Sequence, residues 1–181
     1  ELDDPTQQKE WLLTNYYAAS DKDAERIRKF FSSDCEDENK QRNAFKDIAK
    51  SIVGKQSRLD RLDESKNEKN RVWNFTLLDQ GTNRSYGNAI FPAKRRIIIG
   101  KEQGKYYPCP KYTKNKGFEI QPSELSTSAF IMPCTKQVFM KYYSPMSTSM
   151  NAWTRSDAKS YREAIISMME QFNFNIEYKE D

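Results

Sequence analysis

Apolar residues recur at helical spacing along most of this chain, and that periodicity restricts the fold before any motif is considered. Phe45, Ile48, Ala49, Ile52 and Val53 stand at i, i+3, i+4, i+7 and i+8, so a helix over them presents one continuous apolar stripe. Gly54 predicts its stop. A second stripe runs through Tyr161, Ala164, Ile165, Met168, Met169 and Phe172, behind Thr154 and Asp157 at capping-box spacing. Asp4 before Pro5 predicts a helix start and sets Trp11, Leu12, Asn15 and Tyr16 on one face. From about Asp23 another helix turns Ala24, Ile27, Phe30 and Phe31 inward, and Pro133 leads into one capped by Thr135, with Val138, Phe139, Tyr142 and Tyr143 inward.

Strand character is confined to Val72–Leu78, so the expected class is α+β, mainly α. Four parts follow: helical residues 1–55; a strand, an asparagine-rich turn and a basic helix over 71–100; a basic irregular loop over 101–128, where Gly100, Gly104, Pro108, Pro110 and Gly117 oppose regular structure; and helical residues 129–181. The polar stretch Gln56–Asn70 reads as a connector with a short helix around Leu59 and Leu62. No repeat and no clear domain boundary is visible. The 181 residues suit one domain.

Composition removes several chemistries. The chain has no histidine, which excludes a Ser-His-Asp triad, a Cys-His pair and an H-E-x-x-H zinc site within these residues. Its six glycines form neither a Walker loop nor G-x-G-x-x-G. Cys35, Cys109 and Cys134 are odd in number and lack C-x-x-C spacing, so they read as ordinary small side chains in a reducing cytoplasm. No apolar run approaches the length of a membrane-spanning helix. Glu1 is not an initiator methionine, so the expectation is a chain that starts inside a longer polypeptide.

Charge is distributed unevenly. Residues 1–39 carry eleven acidic and five basic side chains, a balance of −6, whereas 94–116 carry eight basic side chains against Glu102, a balance of +7. Phosphate is drawn to the second stretch. There Tyr106, Tyr107 and Tyr112 alternate with Lys101, Lys105, Lys111, Lys114 and Lys116, placing rings for sugars or bases among cations for a backbone. The bland alternative for such a run is a solvated loop.

The ordered residues N-F-T-L-L-D-x-x-x-N-R-S-Y-G-N-A-x-F-x-x-K-R, Asn74 to Arg95, carry a resemblance. So do P-C-T-K-x-V-F-x-K-Y-Y-S at Pro133–Ser144 and W-x-x-x-D-x-x-x-Y at Trp153–Tyr161. Together they resemble the second half of the HNH (ββα-metal) site, and the helical portion after it, in GmrSD-like restriction nucleases. That resemblance implies a remnant of a ββα-metal element embedded in a helical domain, following a ParB-like NTPase domain of the same polypeptide.

It also implies roles. Asn74 matches the second-strand asparagine and Asn83 the position entering the helix, giving Asn74 and Asn83 catalytic roles. Asn83, with Asn88 as a second candidate, is implied on the side of one divalent metal, Mg²⁺ or Mn²⁺. Lys94 and Arg95 fall where a basic helix clamps phosphate, and Arg96, Lys101, Lys105, Lys111 and Lys114 extend the DNA-binding set. The water-activating histidine is expected upstream of Glu1, so this chain by itself is expected to be inactive. The function implied is DNA cleavage within a restriction or anti-phage protein, compatible with a homo-oligomer and with no membrane partner. The alternative is a catalytically silent helical DNA-binding or protein-interaction domain, in which Asn74, Asn83 and Asn88 only cap helices and close turns.

Overall fold

The computed structural model describes residues 2–33, 37–57, 67–86, 88–142 and 150–172. Its architecture is mainly helical, with two small two-stranded antiparallel sheets. The chain packs as two compact units, one from residues 1–57 and 80–130, the other from 58–79 and 131–181. No helix among the described residues is long and apolar enough to cross a membrane.

In the first unit, α1 (Pro5–Asn15) begins where Asp4 and Pro5 predict, with the Asp4 carboxylate accepting the Thr6 N–H at 2.8 Å. Helix α2 (Asp21–Ser32) starts earlier than its apolar pattern, because Ser20 is the cap and accepts the Asp23 N–H at 3.3 Å. Helix α3 (Glu38–Ser57) runs through Gly54 instead of stopping there. A glycine stop needs a left-handed backbone, which Gly54 does not adopt. Leu12, Tyr16, Ile27, Phe30, Phe31, Phe45, Ile48 and Ile52 form the core of this unit, with Ala24 and Ala49 partly buried against it. Val53, expected in the stripe, is exposed.

The asparagine-rich turn is in fact a helix, α4 (Gln80–Tyr86), followed by the basic helix α5 (Phe91–Glu102). The supposedly irregular 101–128 region contains four short strands: β1 (Lys105–Tyr106), β2 (Lys111–Thr113), β3 (Gly117–Glu119) and β4 (Glu124–Leu125). β1 pairs with β4 and β2 with β3. Here glycine permits the turn that the sequence pattern reads as a break: Gly117 sits at φ 72°, where a side chain is strained.

In the second unit, the strand expected over Val72–Leu78 is a 3-10 turn, Val72–Asn74, and then chain without regular structure. Val72, Phe75 and Leu77 are exposed, so the apolar alternation has no core to face. Its polar groups are met locally instead: the Asn74 and Phe75 N–H groups donate to the Arg71 and Val72 carbonyls at 2.9 and 3.1 Å. Helix α6 (Pro133–Met140) has Met132 at its N-cap position, not Thr135. Thr135 is fully buried; its hydroxyl donates to the Leu77 carbonyl and accepts from the Thr76 hydroxyl at 2.8 Å. Val138 and Phe139 are buried as expected, but Tyr142 is exposed.

Helix α7 (Arg155–Gln171) carries the capping box read from its sequence, with the side chains of Thr154 and Asp157 each bonding the other's backbone N–H. Tyr161 is buried, Ala164, Ile165 and Met169 are half-buried, and Met168 and Phe172 are exposed, so only the first part of the stripe is core. Tyr143, Ser144, Cys35 and the short helix expected around Leu59 and Leu62 lie outside the described residues.

Candidate nucleic-acid interface

The basic stretch of the first unit is held together by α5. Ile90 precedes that helix, and its N–H donates to the fully buried Asn15 side chain at 2.9 Å, which pins the helix start to α1. One face of α5 then seats Tyr107. A Cβ added at Gly100 would lie 2.5 Å from the Tyr107 ring and 2.8 Å from the Lys105 carbonyl oxygen, so only glycine lets the ring approach the helix so closely. One turn earlier, the Arg96 guanidinium lies 4.0 Å from the Tyr17 ring centre and 4.7 Å from that of Tyr107, and donates to the Tyr107 carbonyl at 3.2 Å. Burial lowers the Arg96 pKa, while Tyr17, Cys109 and Tyr107 act in the opposite direction.

The sequence-selected cations therefore fall into two groups. Lys94, Arg95, Arg96 and Lys101 on α5 are half-buried, and desolvation lowers the Lys94 pKa. Lys101 Nζ donates to the hydroxyl of buried Thr82 at 2.9 Å, tying α5 to α4. Lys105 on β1, Lys111 on β2 and Lys114 in the β2–β3 turn are exposed. So is Lys116, which belongs to the same charge run but follows a turn that charge counting does not reveal.

The tyrosines divide as well. Tyr106 is exposed, whereas Tyr107 is engaged by Arg96 and Tyr112 packs on Phe31 with ring centres 5.1 Å apart. Two of the three rings expected to meet bases thus have partners inside the unit.

Asn83 is exposed on α4, next to Thr82, and Asn88 is exposed ahead of α5, where its carbonyl accepts the Trp11 indole N–H at 3.1 Å. Asn74 belongs to the second unit, where its side-chain oxygen accepts the Trp153 indole N–H at 2.9 Å. The Trp73 ring lies beneath Arg71 and Arg162, at 5.9 and 5.3 Å. Magnesium and manganese favour oxygen ligands, carboxylates above all. Asn83 and Asn88 offer neutral amides, and among the described residues no three His, Cys, Asp or Glu side chains are grouped to hold a metal ion. Asn83 and Asn88 by themselves are not the ligand set such a cation prefers.

Cys109 does not have the environment of a nucleophile. Cys109 is half-buried, and burial raises its pKa against smaller opposing effects of a Thr14 hydrogen bond and Arg96, which favours the inert thiol. Compared with known proteins, the chain matches no family model, no curated protein and no solved structure.

Proposed function

We propose that this chain is the DNA-engaging part of an HNH-type endonuclease in a restriction or anti-phage protein, acting in the cytoplasm beside an NTPase-like domain of the same polypeptide. The observation that carries this reading is the joining of Asn83 to the basic helix. Asn83 is exposed on α4, and the Lys101–Thr82 hydrogen bond ties α4 to α5 within one unit. The ordered motifs from Asn74 to Arg95, Pro133 to Ser144 and Trp153 to Tyr161 supply the family side of the argument.

In this reading the chain's own residues bind and orient. Lys105, Lys111 and Lys114 neutralise backbone phosphates, with Lys94 and Arg95 of α5 adding to the positive field. Asn74 is a positioning residue through Trp153. In an HNH site the base that takes a proton from water is a histidine, and in this reading it comes from outside these 181 residues, which contain none. The Mg²⁺ or Mn²⁺ of an HNH site likewise needs ligands beyond Asn83 and Asn88.

The test is cleavage of supercoiled plasmid by the complete gene product with Mg²⁺ or Mn²⁺, beside the 181-residue chain alone. The complete product cuts, the chain alone does not, and Asn83→Ala in the complete product abolishes cutting while leaving DNA affinity within about threefold, a change of under 1 kcal/mol. A complete product that stays inert with every divalent metal overturns the nuclease reading. That outcome favours a catalytically silent DNA-binding domain, the second reading.

A further inference from the structure

We propose that the β2–β3 hairpin is a phosphate-gripping wing for duplex DNA, with Lys111, Lys114 and Lys116 as its contact residues. This rests on the DNA-binding part of the function proposed above, and it narrows the principal contact to the hairpin.

Alternation along β2 separates anchor from contact surface. Tyr112 points to the core, 5.1 Å from the Phe31 ring centre, and its cross-strand partner Phe118 lies 5.8 Å from Phe31 and 5.1 Å from Tyr16. Lys111 and Thr113, one residue to either side of Tyr112, are exposed, as a two-residue period requires. Four aromatic rings therefore fix the hairpin base to α2 and the turn after α1.

The tip is held too. The Lys116 N–H donates to the Thr113 hydroxyl at 3.2 Å, and Gly117 takes the left-handed conformation that brings the chain back opposite Thr113. Lys114, Asn115 and Lys116 are all exposed at this tip. Held cations lose less conformational freedom on binding than cations on a loose loop. Against the three lysines the hairpin carries one carboxylate, Glu119, half-buried opposite Lys111 at the end away from the tip.

Size and charge select the partner. Strands rise about 3.3 Å per residue, so Lys111 and the tip are roughly 10 Å apart, a span that follows a duplex backbone. The major groove, about 12 Å wide, admits a two-stranded ribbon. Lysines act as point charges, so the wing fixes position without reading sequence.

The experiment measures fluorescence anisotropy of a short labelled duplex of mixed sequence against the 181-residue chain, over a salt series without divalent metal so that cleavage plays no part. Replacing Lys111, Lys114 and Lys116 together by Gln lowers affinity on the order of a hundredfold near 0.1 M salt and reduces the log–log salt slope by about 2 to 3. The thermal midpoint stays at the parent value, because all three side chains are exposed, and replacement of all three by Arg restores binding. Parent-like affinity and slope in the Gln variant overturn the wing while leaving DNA binding elsewhere on the chain intact. No DNA binding by the parent at low salt, or preference for an acidic polypeptide over the duplex, overturns both the wing and the DNA-binding reading.

Discussion

Asn15 and Ile90, 75 residues apart in the chain, meet through a hydrogen bond of 2.9 Å from the Ile90 N–H to the Asn15 side-chain oxygen. The same amide donates to the Trp11 carbonyl at 2.8 Å, so a fully buried side chain is satisfied at both ends. A side chain of α1 thus meets the N–H of the residue at the N-cap position of α5.

Asn15→Leu leaves the Ile90 N–H buried without this acceptor and should cost about 2–3 kcal/mol in urea unfolding. A loss below about 0.5 kcal/mol would show that water or another group replaces the amide.

Lys141 and Asp157 form a buried ion pair at 2.8 Å in the second unit, and Lys141 also donates to the Ala152 carbonyl at 2.7 Å. Lys141→Met takes this buried cation away from the Asp157 carboxylate, and should destabilise this unit by about 3–5 kcal/mol. Combining it with Asp157→Asn removes the stranded charge, so the double variant should be more stable than the sum of the single losses. Strict additivity in the cycle contradicts the coupling.

Two helical glycines should respond oppositely to alanine. At Gly54 nothing lies within 4 Å of an added Cβ, so Gly54→Ala should stabilise α3 by about 0.5–1 kcal/mol. Gly100→Ala drives a methyl into Tyr107 and the Lys105 carbonyl, and should cost about 1–3 kcal/mol through the seat of that ring. Thermal midpoints moving the same way in both variants would refute the close approach at Gly100.

Arg96→Lys keeps the charge but not the planar stack between Tyr17 and Tyr107. The expected loss is about 1–2 kcal/mol of stability with duplex affinity unchanged. A fall in affinity without a fall in stability would instead place Arg96 on the DNA.

Cys109 should alkylate more slowly than an unstructured cysteine at pH 8, since burial raises its pKa from the ordinary 9.0. The unfolded chain gives up this proton first. The thiol's contribution to stability is therefore whole below pH 9 and is lost as pH rises through the raised folded value. Site-resolved mass spectrometry after brief iodoacetamide treatment, native against denatured, measures the difference; equal rates would contradict it.

Local pattern determined the helices of this protein because their information is local. Asp4–Pro5 and Thr154–Asp157 each specify a start through groups within three residues of one another, and Ile27, Phe30, Phe31, Ile48 and Ile52 fall inward by period alone. Tertiary structure decided what depends on partners distant in sequence. Val72–Leu78 has strand residues but pairs with no strand among the described residues, and Thr135 meets its Leu77 carbonyl instead. Gly54 and Gly100 share a composition and differ in their neighbours. Among the charges, sequence gave the +7 stretch its attraction for phosphate, but Lys101 turns to Thr82 and Arg96 to two tyrosines while Lys111, Lys114 and Lys116 face solvent. Net charge follows from composition; its presentation follows from which side chains the core and the hairpin register turn outward.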